Sequence, residues 1–169
     1  MTTVISHFSA LRAIRRARRA YSALPWGIID DRQQAQALAS CVPNKDAIDF
    51  VALAMLDAWS EDDSERLDLL VAGGNNRRPD GRLLQHSVTA PLPAEAIMHI
   101  EADIYATSPA MTAMLCSRNE PVAKVLMLLM ELLGSYSLPP EITNPIAHDD
   151  TWPKAGSSEA MDDLDCHGG

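Results

Sequence analysis

The stretch "RLDLLVAGGNNRRPDGRLLQHSVTAPLP", Arg66–Pro93, decides whether this chain is all helix or mixed. Leu67–Ala72 is a short, nearly unbroken apolar run closed by Gly73 and Gly74, the pattern of a buried strand. "NNRRPDGR" carries Asn, Asp and Gly, residues that accept a positive φ, and reads as a turn. "LLQHSVTAPLP" reads as the next strand, stopped by Pro91 and Pro93. The two segments predict a hairpin, or a strand pair joined by a longer loop.

Upstream of this centre the apolar spacing is helical. Ser6 precedes Phe8, Leu11, Ile14, Tyr21 and Leu24, which predicts a helix over about 7–23 with Ser6 as N-cap, broken by Pro25 and Gly27. "DRQQAQALASCV" predicts a second helix ending before Pro43. A third begins after Asn44, with Ile48, Val51, Ala52, Met55, Leu56 and Trp59 on one packing face. Downstream, Ile97–Thr107 alternates as one further strand, and Ser108-Pro109 opens a helix because proline at the first helical position loses no needed amide bond. Helices are expected over about 109–117 and 120–134. The second is apolar almost all round, which predicts a central position, with Gly134 as its stop. Helices first, strands in the middle and helices last indicate an α+β fold: N-terminal helices, a small central mostly antiparallel sheet, and C-terminal helices.

A chain of 169 residues suits one core, expected over residues 1–144, and 47% hydrophobic content with only 5% aromatic makes that core aliphatic. Cys41, Cys116 and Cys166 are odd in number, widely spaced and without a CxxC, which argues against a disulfide framework or a zinc site and for a reducing cytoplasm. The longest apolar run, "VLMLLM" at Val125–Met130, falls far short of the ~18 residues of a spanning helix, so no membrane association is expected.

Charge is the unusual feature. The net charge is −9, yet residues 1–29 hold five arginines and no acid, leaving nine basic against 23 acidic groups in the remainder. From Asp149 onward six acids face the single Lys154 among Gly, Ser and Pro, so residues 145–169 are expected to form a disordered acidic tail. It could fold back on the basic first helix.

Catalytic constellations are absent from the pattern. His86, His99 and His148 stand singly, without a carboxylate cluster at ligand spacing, so no metal or other cofactor is expected. Cys116 lies in an apolar helical stretch, where cysteine is a small inert hydrophobe. No GxSxG, Walker loop or dinucleotide fingerprint occurs, and the expectation is of a protein that is not an enzyme. Met111, Met114, Met127 and Met130 recur at helical spacing, as core filling does. Arg12, Arg15, Arg16 and Arg19 fall on the polar side of the first helix, and Arg77, Arg78 and Arg82 form a second basic cluster. Two readings stand open: a surface that meets phosphates, or a solvated face pairing with the protein's own acids.

Several segments, in order, carry a family resemblance: "VISHFSALRAIR", "RLDLLVAGGNNRRPDGRLLQH", "PLPAEAI", "IYATSPAMTAMLCS" and "LMLLMELLGSYSLPP". Over about residues 4–140 the chain resembles the AbiEi-type abortive-infection antitoxins, in particular variants in which this region precedes a Vsr/restriction-type endonuclease domain. Ser6, Ala10, Leu11, Arg77, Arg78, His86, Pro93, Ser108, Pro109, Glu131, Leu132, Gly134 and Tyr136 match that pattern. The winged helix-turn-helix of the antitoxins has no counterpart before this region, and no Asp…Glu-x-Lys series follows it. The resemblance therefore implies a non-catalytic binding module of a toxin–antitoxin or phage-defence system. Arg12, Arg15, Arg16, Arg19, Arg77, Arg78 and Arg82, with His86, would meet nucleic acid or a toxin or nuclease partner. The recognition half of a split endonuclease, or a folded remnant without activity, are the alternatives.

Overall fold

The computed structural model describes residues 2–21, 23–41, 43–61, 66–73, 81–118 and 120–133. The chain divides into units Met1–Ser137 and Leu138–Gly169, and every element below belongs to the first. The expected tail at 145–169, the stop at Gly134, and Arg77 and Arg78 lie outside the described residues.

The elements run β1 (Thr3–Ile5), α1 (His7–Ala20), β2 (Gly27–Ile28), α2 (Asp31–Ser40), a 3-10 turn (Lys45–Ala47), α3 (Phe50–Met55), β3 (Leu67–Ala72), β4 (Leu83–Val88), β5 (Ile97–Glu101), β6 (Ile104–Thr107), α4 (Pro109–Cys116) and α5 (Val122–Leu133). The strands form one six-stranded mixed sheet in the order β2-β5-β6-β1-β3-β4, so the fold is α+β.

The two strands of the opening stretch are adjacent but parallel, with Leu67 opposite Leu83 and Leu70 opposite His86. A hairpin is thereby excluded, because the two strands of a hairpin run in opposite directions. Ile97–Thr107, expected as one strand, is instead the hairpin of β5 and β6, turned at Ala102 and Asp103 with Ala102 at a φ of +43°. The turn lacks a glycine and so left no mark in the pattern.

β1 was not foreseen, because three residues are too few for periodicity. It lies at the centre nonetheless, parallel to β6 through Thr3–Ile104, Val4–Tyr105 and Ile5–Ala106, and antiparallel to β3 at Ile5–Leu69. Successive strand residues point to opposite faces. Val4, Leu70 and Ile97 pack with Ala37 and Leu38 of α2 and with Cys41 just after it. Ile5, Leu69 and Ala106 point the other way, where α1 and α4 contact β3 and β6.

The helices follow their caps. α2 begins at Asp30 with a full capping box, its carboxylate accepting from the Gln33 N–H at 2.7 Å while the Gln33 side chain accepts from the Asp30 N–H at 2.9 Å. α4 begins at Ser108 with Pro109 in the first turn, as the sequence reads. α1 ends at Ala20, earlier than the expected 23.

α3 is only six residues long and buries Leu53, leaving Val51 and Met55 of the expected packing face exposed at 73% each. Asp57, at a φ of +60°, closes it before a second turn of that face can form. α5 is not central: Leu128, Glu131 and Leu132 turn inward, while Val122, Leu126 and Met130 remain open. Met114 is likewise exposed, so of the methionines read as core filling only Met111 is buried.

Candidate functional site

β1 ends at Ile5 and the chain turns directly into α1. Ser6 is extended, and His7, the first helical residue, sits in the left-handed region at a φ of +45°. Two bonds tie this junction to β3. The Ser6 N–H donates to the Asp68 carbonyl at 2.9 Å, and the Asp68 N–H donates to the buried Ser9 hydroxyl at 3.0 Å. The Ser6 carbonyl is already accepting from the Ala10 N–H as the first turn of α1, so the serine hydroxyl takes the place of the next ladder acceptor. Ser6 holds the N-cap position but makes no capping bond with its side chain, whose hydroxyl instead lies 3.0 Å from His7 Nδ1. The expected cap is corrected to that extent.

This turn lays His7 over β4. Asp68 is paired with Leu84 and Leu70 with His86, which makes Asp68 and His86 diagonal neighbours on one face of the sheet. His86 Nε2 lies 2.8 Å from Asp68 Oδ1, with the carboxylate only 6% exposed. The His7 and His86 rings stack with centroids 3.6 Å apart and planes inclined by 21°. Donor atoms of His7, Asp68 and His86 all lie within 4.8 Å of one another.

Burial pushes the His7 imidazole down to about 4, helped by His86 and Arg118 and opposed by the Asp68 charge. His7 is therefore neutral near pH 7, with a lone pair available on its ring. Beside it, burial first and the Asp68 charge second push the Cys116 thiol up to about 12. A thiol so placed is inert, as read from the sequence.

The arginines do not form one guanidinium face. Arg12 Nη2 donates to the Ala58 carbonyl at 2.7 Å. Arg15 clasps Glu131 with two bonds of 2.6 and 2.7 Å, both side chains largely buried. Arg18 donates to the carbonyls of Glu131 and Leu132. Arg16, Arg19 and Arg82 are exposed. The expected solvated face thus turns partly inward, because the last described turn of α5 offers acceptors to the arginines of α1 that reach it.

Of the strand histidines, His86 joins the site and His99 does not. β5 and β4 are separated by β6, β1 and β3, so these two histidines stand about 19 Å apart across the sheet. His99 bonds the Ala102 carbonyl and lines an open pocket with Gln33, Gln36 and Ser40 of α2. His148 lies outside the described residues.

Sequence reasoning missed His7 and Asp68. The available signal was Asp68 itself, a carboxylate inside an otherwise apolar buried strand, which requires a donor or a cation beside it. Two imidazoles and a carboxylate in this arrangement can orient one another, pass a proton, or hold a cation. No protein family, curated protein or solved structure matches the chain.

Proposed function

We propose that the chain is a non-catalytic recognition module of a toxin–antitoxin or phage-defence type system, and that it binds a partner protein through the surface around His7 and His86. The observation that carries this reading is the meeting of segments on which the AbiEi resemblance rests. The Ser6–His7 opening closes on His86 across Asp68, Ser108 starts α4, and Glu131 anchors Arg15. Residues far apart in the pattern share one scaffold, and two of them, Ser6 and His86, meet at the half-open polar patch of His7 and Asp68.

A protein is favoured over nucleic acid because Arg12, Arg15 and Arg18 are engaged inside the molecule, while the chain as a whole carries a net charge of −9. Among the described residues, this engagement removes three of the five guanidiniums of α1 from the surface a polyanion would meet.

The test is equilibrium binding of the full chain to the protein encoded by the adjacent reading frame and, in parallel, to duplex DNA across a salt series. Association with the protein is expected, weakened at least about 10-fold by His86→Ala and little changed by Arg16→Ala with Arg19→Ala. Steeply salt-dependent DNA binding abolished by the arginine pair would restore the nucleic-acid reading. Indifference to both ligands removes the proposal.

A further inference from the structure

We infer that His7, Asp68 and His86 form a binding site for a single divalent transition-metal ion, zinc being the ion that best suits the donors, with one coordination position open to the outside. This goes beyond partner recognition and does not rest on it.

Two imidazoles and one carboxylate are a donor set of open zinc sites, in which three protein ligands leave the remaining position to water. Tetrahedral bonds of about 2.0–2.2 Å place donors about 3.3 Å apart. The Asp68–His86 edge is 2.8 Å and no edge exceeds 4.8 Å. Side-chain rotation that closes the widest edge by about 1.5 Å therefore completes the shell. An imidazole holds an ion in its own ring plane, so the two rings, stacked 3.6 Å apart at 21°, tilt further apart as their lone pairs converge on the ion.

The donors are held from behind. The Ser6 hydroxyl engages His7 Nδ1, which leaves Nε2 as the donor of that ring. Asp68 is fixed on its main chain by the Ser6 N–H and by the Ser9 hydroxyl. His7 keeps a left-handed backbone inside this lattice of bonds, a conformation that persists only where the surroundings impose it.

On binding, the ion replaces the Asp68–His86 hydrogen bond, and the Nε2 hydrogen of His86 moves to Nδ1 as the ring changes tautomer. Asp68 is buried, whereas His7 and His86 are half-exposed. The ion thus has a closed floor and an accessible outer position.

The experiment uses the full chain without a polyhistidine tag, stripped with chelator and titrated with zinc chloride by calorimetry and with cobalt(II) by visible absorption. About one equivalent of zinc is expected, with a cobalt band of low-coordinate intensity. His7→Ala and His86→Ala should each weaken zinc at least about 100-fold and abolish the cobalt band. Asp68→Asn should do the same. If it fails to fold, the two histidine variants, at half-exposed positions and checked by circular dichroism, decide alone. Binding of less than about 0.2 equivalent, or zinc affinity unchanged in both histidine variants, overturns the inference. Neither outcome bears on the partner assay, which contains no added metal.

Discussion

His7 combines a left-handed backbone with a suppressed basicity, and both follow from its placement at the strand-to-helix turn over His86. The suppressed basicity has a pH consequence in metal-free protein. A histidine whose folded pKa, about 4, lies below its ordinary 6.5 binds its proton more readily when unfolded. Its contribution leaves stability unaffected above about 6.5, erodes it as pH falls from there, and levels off below about 4. Melting temperatures of the chelator-treated wild type should therefore drop more steeply between pH 6.5 and 4 than those of His7→Asn. Parallel curves would mean that this imidazole is solvated.

The Arg15–Glu131 clasp joins α1 to α5 through side chains. Arg15 and Glu131 are both nearly buried, so each compensates the desolvation of the other. Glu131→Ala should cost about 3 kcal/mol in denaturant unfolding, whereas the double change Arg15→Met with Glu131→Leu should recover most of the loss. If the single variant proves as stable as wild type, the clasp is solvent-screened. Such a clasp was not legible in the sequence, which displays an arginine face but not the carboxylate 116 residues away that answers it. Elements with local signatures were legible: the glycine-closed run of β3, the helical stretch from Asp31 that forms α2 and the Ser108-Pro109 start of α4. Direction and pairing were not, since a parallel neighbour and a hairpin neighbour give β4 the same composition, and the turn at Ala102 uses no characteristic residue. The candidate site was half legible. His86 was singled out, but Ser6–His7 and Asp68 join it only through the β1–β3–β4 register.

The sheet as a whole depends on its shortest central member. β1 separates β6 from β3, so the β2-β5-β6 side and the β3-β4 side are joined through Thr3–Ile5. Ile5 is fully buried and touches both neighbours in register. Ile5→Ala should cost about 2–5 kcal/mol and lower hydrogen-exchange protection in β3 and β6 together. Loss confined to one side would show that the two halves of the sheet hold independently. The same placement constrains biosynthesis. The parallel mate of β1, Ile104–Thr107, is synthesised only about a hundred residues after it, roughly 5–20 s later at ordinary translation rates. Until then β1 has β3 alone to pair with, so one edge of the strand at the centre of the finished sheet stays open in the nascent chain and is a template for mispairing.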